Sequence, residues 1–279
     1  MRKFLPLILK AAVTAGNAAL EVYQQDFSVI EKSDHSPLTL ADTRAHAIIQ
    51  KALADTQIPV LSEEGADIAY KDRKDWQTLW IVDPLDGTKE FVKRNGEFTI
   101  NIALVDNQVP VMGVIYVPVW SRLYYAVHFD PDADSGSRGA WRVDLDAPPE
   151  IESLSMDRLM AAAEPISVSI DPDRPYTIVG SRSHLTPEVE QFVEEKKKAA
   201  GRVEFVSAGS SLKFCRIAEG SADIYPRFGP TMEWDTAAGD VIARAAGGRV
   251  FRQDTGADLL YNKEDLKNPW FVVTNGREE

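Results

Sequence analysis

Two acids three residues apart, Asp83 and Asp86, bracket Pro84-Leu85 where an apolar run, residues 79–82, gives out. Gly87-Thr88 follows at once. Carboxylates at such a turn are a poor way to build a core and a good way to hold a divalent cation. Magnesium takes oxygen ligands in near-octahedral geometry, and the Leu85 carbonyl lies between the two acids to join them. Gly87 and Thr88 add backbone N–H groups suited to an anion, and Thr88 adds a hydroxyl. Further acids stand at other element ends: the pair Glu63-Glu64 after a short apolar stretch, Asp235 opening WDTAAGDVIARAAGG, and Asp42 opening TRAHAIIQKALAD.

Each feature has an ordinary explanation when taken alone. Asp-Gly is a common turn dipeptide, Glu63-Glu64 reads as a solvated pair, and Asp42 and Asp235 as helix caps. Lys213 and Arg227 read as surface charges with stems along apolar surface. Cys215, the one cysteine, lies in a helix-like stretch and reads as a small buried apolar residue. Chance supplies the combination poorly: a buried strand running into acids, an acid pair twenty residues upstream, and Trp-Asp before an Ala/Gly-rich helix.

The elements that must position these residues follow from periodicity. Apolar residues recur at helical spacing from Phe4 to Val22, through what would be a signal-peptide cleavage site, so the N-terminus reads as a mature amphipathic helix. No stretch approaches the ~18 apolar residues of a membrane span. Residues 59–62 read as a short strand ending at Glu63, and residues 79–82 as a strand stopping at Asp83. Residues 98–105, 111–119 and 123–129 read as antiparallel meander strands. Residues 130–175 carry a Gly/Ser/Asp loop, one strand in GAWRVDL and little other order, and the lobe boundary falls there. Strands at 176–180, 203–207 and 222–228 then alternate with helices capped by Thr186, ending near Gly220, and closing on Gly247-Gly248; RVFRQD, LLYN and WFVVTN read as final strands.

A chain of 279 residues exceeds the common size of one core. Its 44% hydrophobic and 27% charged residues are ordinary for a globular protein. A net charge of −12 argues against a nucleic-acid polymer or an anionic membrane as partner. One cysteine excludes an internal disulfide and fits a reducing, cytoplasmic setting.

WIVDPLDGT and WDTAAGDVIARAAGG, with Glu63-Glu64 ahead of the first, resemble the two signatures of the magnesium-dependent, lithium-sensitive phosphatases that include inositol monophosphatase. SPLTLAD, LSEE, DPLDGTKEFVKRNGEFTINIALV, GSSLKFCRIAEG and IYPRFGPTMEWDTAAGD are similar to the bacterial CysQ-type branch, the 3′(2′),5′-bisphosphate nucleotidases. The likeness covers most of residues 1–127 and 176–279; residues 130–170 fit it badly.

The resemblance implies a site. Glu63, Asp83 and the Leu85 carbonyl would hold a first Mg²⁺, and Asp83, Asp86 and Asp235 a second. Glu63 would also reach a third, looser ion through waters. Asp42 and Thr88 would orient the attacking water, with Glu63 joining them in catalysis, and the Gly87 and Thr88 amides would receive the scissile phosphate. Glu63, Leu85, Asp86 and Asp235 therefore border the substrate as well as the metals. His184, Ser210, Lys213 and Arg227 match positions that contact the nucleotide and its remaining phosphate. Glu64 matches a second acid of less defined role.

The resulting expectation is an α/β (α+β) chain folded as a layered α/β/α/β/α sandwich of two lobes. Residues 1–170 form an α+β lobe carrying most metal ligands; residues 171–279 form an α/β lobe carrying Asp235 and substrate contacts. The implied activity is Mg²⁺-dependent hydrolysis of adenosine 3′,5′-bisphosphate to AMP and phosphate, linked to sulfate assimilation. The partner is a small nucleotide bisphosphate, with no nucleic-acid polymer and no stable membrane anchor. The implied location is cytoplasmic, with a peripheral position at the inner membrane as the variant. The rivals are an inositol monophosphatase or sugar-bisphosphate phosphatase of the same superfamily and, further off, a non-catalytic cation- or nucleotide-binding protein.

Overall fold

The computed structural model describes residues 1–26, 29–31, 37–65, 67–128, 139–145, 147–149, 155–181, 186–200 and 202–277. The first half runs α1 (Leu5–Tyr23), β1 (Val29–Glu31), β2 (Pro37–Thr39), α2 (Leu40–Leu53), β3 (Val60–Ser62), α3 (Tyr70–Arg73), β4 (Thr78–Asp86), α4 (Thr88–Val92), β5 (Thr99–Asp106), β6 (Val109–Val117), β7 (Arg122–Val127) and β8 (Gly139–Asp144). The second runs α5 (Met156–Ala161), β9 (Glu164–Ile166), β10 (Tyr176–Gly180), α6 (Pro187–Ala200), β11 (Val203–Ser207), α7 (Leu212–Ala218), β12 (Ile224–Arg227), α8 (Glu233–Ala245), β13 (Arg249–Arg252) and β14 (Phe271–Thr274).

Two large sheets result. Strands β3 to β9 lie in sequence order in a seven-stranded sheet, parallel between β3 and β4 and antiparallel beyond. The second sheet has the order β11-β10-β12-β14-β13. Both faces of the first sheet are buried, which is why β4 and β5 read as nearly continuous apolar runs. Trp80 and Val82 face one way and pack with Ile8, Leu9, Ala45 and Ile49 of α1 and α2. Leu79 and Ile81 face the other way and pack with α7 and α8, among them Phe214, Ala238 and Val241. The same central cluster takes in Tyr225, Val250, Phe271 and Val273 from the second sheet. The far face of that sheet is covered by Val189 and Val193 of α6. The layers are thus α, β, α, β, α, as expected. Gly239 lets the two central helices touch: a Cβ there would lie 2.4 Å from Phe214 Cγ.

Four expectations change. β4 does not stop at Asp83 but resumes to Asp86, because its buried partner β5 continues alongside. Residues 155–166 are ordered as α5 and β9, the latter held at the sheet edge by pairing with β8. LLYN is not a strand; Asp258 forms only an isolated bridge to Phe251. The segment Arg2–Tyr23 is apolar and long enough to cross a membrane by composition, though no such stretch was expected. Leu5, Ile8, Leu9, Ala12 and Val13 are buried in the fold, so its apolarity serves the core. Of residues 130–170, β8 and β9 form the sheet edge, α5 packs beside α1, and the Val168 N–H donates to the Ala246 carbonyl at 2.9 Å. β9 is five strands from β4, on the order of 24 Å at the usual strand spacing. The loop 130–138 lies outside the described residues.

Candidate active site

Residues three apart in a regular strand point to opposite faces, yet Asp83 and Asp86 share one site. A bulge makes this happen. Asp83 pairs with Asn101 and Asp86 with Thr99, so Pro84 and Leu85 oppose the single residue Ile100. Pro84 has no N–H to lose from the ladder, and the Leu85 N–H donates to Asp83 Oδ1 at 3.0 Å. The Leu85 carbonyl lies 3.4 Å from the Thr88 hydroxyl.

Asp235 arrives from the first turn of α8, where the Met232 N–H donates to its Oδ2 at 2.8 Å. Carboxylate oxygens of Asp83, Asp86 and Asp235 lie within 4.8 Å of one another. Glu63, at the end of β3, hydrogen-bonds to Asp83. Burial pushes the Asp83 carboxyl well above the usual carboxylate range, and the charges of Glu63, Asp86 and Asp235 push it further. Burial, then Asp86, raises Asp235 to about 7. Four carboxylates cannot all be charged this close together without a counterion or a proton. The donor set is all oxygen, all acidic and partly desolvated, which fits a hard divalent cation such as Mg²⁺.

Asp42 is 1% exposed and closes a capping box with Thr39 at the start of α2. The Thr39 N–H and hydroxyl both donate to its Oδ2, at 2.8 and 2.6 Å, leaving Oδ1 for the Thr88 hydroxyl at 3.3 Å. Burial raises Asp42 above its ordinary range, against the pull of the Thr39 hydrogen bonds. Glu64 stands near enough to raise Asp42 further, and burial lowers the His46 imidazole below its ordinary range against the pull of Glu64. Gly87, at φ 88°, makes the left-handed turn into α4 that a β-carbon would strain.

Asp86 and Asp235 open onto a cleft of about 110 Å³ that Ser210, Lys213 and Arg227 also line. Lys213 is 6% exposed. Its ammonium donates to the Ser210 carbonyl and, at 3.3 Å, to that of Ala208, and it lies 5.6 Å from the Tyr225 ring centroid. Burial lowers it to about 8, against the pull of Asp86. Arg227 donates to the Pro230 carbonyl, while its Nε is buried without a partner among the described residues. Ser210 has φ 45°, and its hydroxyl lies 3.1 Å from the Asp86 carbonyl and 3.2 Å from both the Glu97 carbonyl and Thr99 Oγ1. His184 lies outside the described residues. A roomier cavity, about 370 Å³, opens at the opposite end of β4 beside Lys74, Trp76, Asn107 and Lys263. Its lining has one acid, Asp75, whereas Asp86 and Asp235 of the carboxylate cluster line the smaller cleft.

A sequence profile described as the inositol monophosphatase family matches residues 1–278. The chain belongs to the inositol monophosphatase family. This family member is 40% identical over 275 residues to the 3′(2′),5′-bisphosphate nucleotidase CysQ of Escherichia coli K12, covering 97% of this chain and 99% of that protein. It is 41% identical to the corresponding protein of Salmonella typhimurium, with the same coverage. Among solved structures, CysQ from Bacteroides thetaiotaomicron superposes with a TM-score of 0.85 at 51% identity, covering 98% of this chain and 97% of that one. An inositol monophosphatase from Thermotoga maritima superposes at 0.72 with 23% identity, covering 99% and 93%; that likeness speaks for the fold.

The family member's site has members that motif reading missed. The Ser211 hydroxyl lies 2.7 Å from Asp86 Oδ2 and 2.9 Å from the Asp235 carbonyl, and accepts from Asn101 Nδ2 at 2.9 Å. Asn101 also donates to Asp86 Oδ2 at 3.3 Å. Thr39 completes the Asp42 cap. The S/T-x-x-D spacing of Thr39 and Asp42 signals a cap; nothing local signals Ser211 or Asn101.

Proposed function

We propose that the chain is a Mg²⁺-dependent phosphomonoesterase that hydrolyses adenosine 3′,5′-bisphosphate to AMP and phosphate. The observation that carries the reading is the single cleft that Asp86 and Asp235 line together with Lys213 and Arg227. A substrate with two phosphates suits a site that holds both metal-binding acids and two cations. The 40% identity to proteins named 3′(2′),5′-bisphosphate nucleotidase supports the same substrate.

In this reading Glu63, Asp83, the Leu85 carbonyl, Asp86 and Asp235 would hold two Mg²⁺ ions, and Glu63 would reach a third through water. Bound Mg²⁺ supplies an acidified water and charge neutralisation at the leaving oxygen. The protein's own groups do the rest. Thr88 Oγ1 would accept the attacking water's proton as its own hydroxyl proton passes to Oδ1 of Asp42, which is held by Thr39 and kept basic by burial. The Gly87 and Thr88 amides cradle the phosphate that leaves. Lys213 and Arg227 bind the phosphate that stays, Arg227 through a fork suited to two oxygens. His184 and Ser210 border the nucleotide, and Glu64 supports Asp42. Residues 1–170 and 171–279 act as the two lobes of the cleft. The reading fits a cytoplasmic enzyme clearing a by-product of sulfate assimilation; cell fractionation distinguishes this from a peripheral position at the inner membrane.

Phosphate release from adenosine 3′,5′-bisphosphate, AMP, inositol 1-phosphate and fructose 1,6-bisphosphate tests it, with and without Mg²⁺ and Li⁺. The bisphosphate nucleotide is expected to have the highest kcat/KM. Faster turnover of inositol 1-phosphate would overturn the substrate, and no turnover of any ester with Mg²⁺ would overturn the enzyme.

A further inference from the structure

Asp235 stands in a helix turn that is pinned from outside by a buried polar network. Glu233, the first residue of α8, is fully buried. Its carboxylate accepts from the Asn262 and Lys263 backbone amides and from the Lys263 ammonium. The Lys263 ammonium lies 3.3 Å from Asn268 Oδ1. Asn268 Nδ2 in turn donates to the Met232 carbonyl at 2.8 Å and to Thr236 Oγ1 at 3.0 Å. Met232 is the residue whose N–H holds the Asp235 carboxylate. The peptide groups on both sides of Met232 are therefore fixed, one by Asn268 and one against Asp235. The loop that supplies this network is anchored: buried Arg73 donates to Asn262 Oδ1 at 2.9 Å and to the Lys263 and Glu264 carbonyls at 2.6 and 3.0 Å.

A buried carboxylate with one ammonium partner is costly to desolvate and is often replaceable by apolar packing without loss of stability. Glu233 therefore needs a reason beyond stability, and its position two residues before Asp235 supplies one. We propose that Glu233 is a positioning residue for the divalent-cation site, acting through Lys263, Asn268 and Met232 to fix the Asp235 carboxylate against Asp83 and Asp86. The inference rests on the reading of those three acids as metal ligands. Groups that orient ligands in this way typically contribute about 10–100-fold to metal affinity.

The test is Mn²⁺ binding to the purified full-length chain, followed by the EPR signal of free Mn²⁺, with melting temperature measured in EDTA. The variants are Glu233→Gln and Asn268→Ala. Asp223→Asn is the matched control: Asp223 is equally buried, accepts from Arg174, the Thr177 N–H and Asn275, and precedes β12 at the end away from Arg227. The expected result is that Glu233→Gln and Asn268→Ala weaken Mn²⁺ binding about 10-fold or more, while Asp223→Asn lowers the melting temperature and leaves the affinity unchanged. Mn²⁺ affinity within about threefold of wild type (~0.6 kcal/mol) in both network variants would overturn the inference. If Glu233→Gln does not fold, Asn268→Ala decides alone. Absence of saturable Mn²⁺ binding in the wild type would instead overturn the metal reading beneath it.

Discussion

Replacing Ser211 by alanine isolates what a single hydroxyl does for the carboxylate cluster. Ser211 is 1% exposed, so no bulk water replaces the lost group. The hydroxyl lies 2.7 Å from Asp86 Oδ2, the range of a charge-assisted bond. Such bonds contribute about 1.5–3 kcal/mol, against about 0.5–1.5 kcal/mol for neutral pairs. Asn101 Nδ2 loses one acceptor but keeps Asp86 Oδ2 at 3.3 Å, which softens the loss. The bond orients Asp86 most where Asp86 must be ionised, in the cation-loaded state. About 1.5–3 kcal/mol there corresponds to roughly 10–150-fold weaker Mg²⁺ binding. The fold itself loses on the order of 1 kcal/mol, a drop of about 2–4 °C in melting temperature for a chain of this size. Calorimetric Mg²⁺ titration, together with the Mg²⁺ dependence of phosphate release, measures the first; thermal unfolding in EDTA measures the second. A lowered melting temperature with Mg²⁺ affinity unchanged within about twofold (~0.4 kcal/mol) would refute the orienting role.

Asp83→Asn is expected to abolish phosphate release, because it removes the most buried charge of the cluster; near-normal kcat at saturating Mg²⁺ would remove Asp83 from the metal site. Lys213→Ala should raise KM for adenosine 3′,5′-bisphosphate far more than for a monophosphate ester, and equal effects on both would place Lys213 elsewhere. Burial raises Asp235 to about 7 from 3.8 and raises Asp83 as well. In the metal-free fold the stability of the protonated form is thus fully present below pH 3.8 and is lost as pH rises through about 7. The melting temperature in EDTA should therefore fall from pH 5 to pH 8, and Mg²⁺ binding should tighten over the same window while releasing protons. A Mg²⁺ affinity that does not vary with pH across this window would contradict the assignment.

The parts legible in the sequence were those with local periodicity. β4 and β5 alternate between two buried faces, so their apolar runs read directly as strands, and the Ala/Gly-rich α8 reads as a helix squeezed between layers. The acids at strand and helix ends stood out because charges seldom follow such runs. Asp83, Asp86 and Asp235 do lie together, with Glu63 hydrogen-bonded to Asp83 and Thr88 to Asp42. What was not legible depends on contacts distant in sequence. Ser211 meets Asp86 across 125 positions, and Glu233 meets Lys263 across 30; neither spacing has a periodic signature. The bulge at Pro84-Leu85 was invisible for a related reason. An apolar run meeting Asp-Pro looks like a strand end, and only the continuing partner β5 shows that the strand goes on. α5 and β9 are short elements held by tertiary contacts rather than by their own propensity, β9 by pairing with β8 and α5 by packing Leu159 into the core beside α1.

α8 belongs to the middle layer, touching β4 to β8 of one sheet and β13 of the other. An ion held, as proposed, by Asp235 on that layer and by Asp83 and Asp86 on β4 would act as a rivet between α8 and β4. Parting α8 from β4 would release it. Cation binding should then raise the unfolding temperature of the whole chain as one cooperative unit, by an amount set by RT ln(1 + [Mg²⁺]/Kd), rather than tightening one lobe while the other melts at its own temperature.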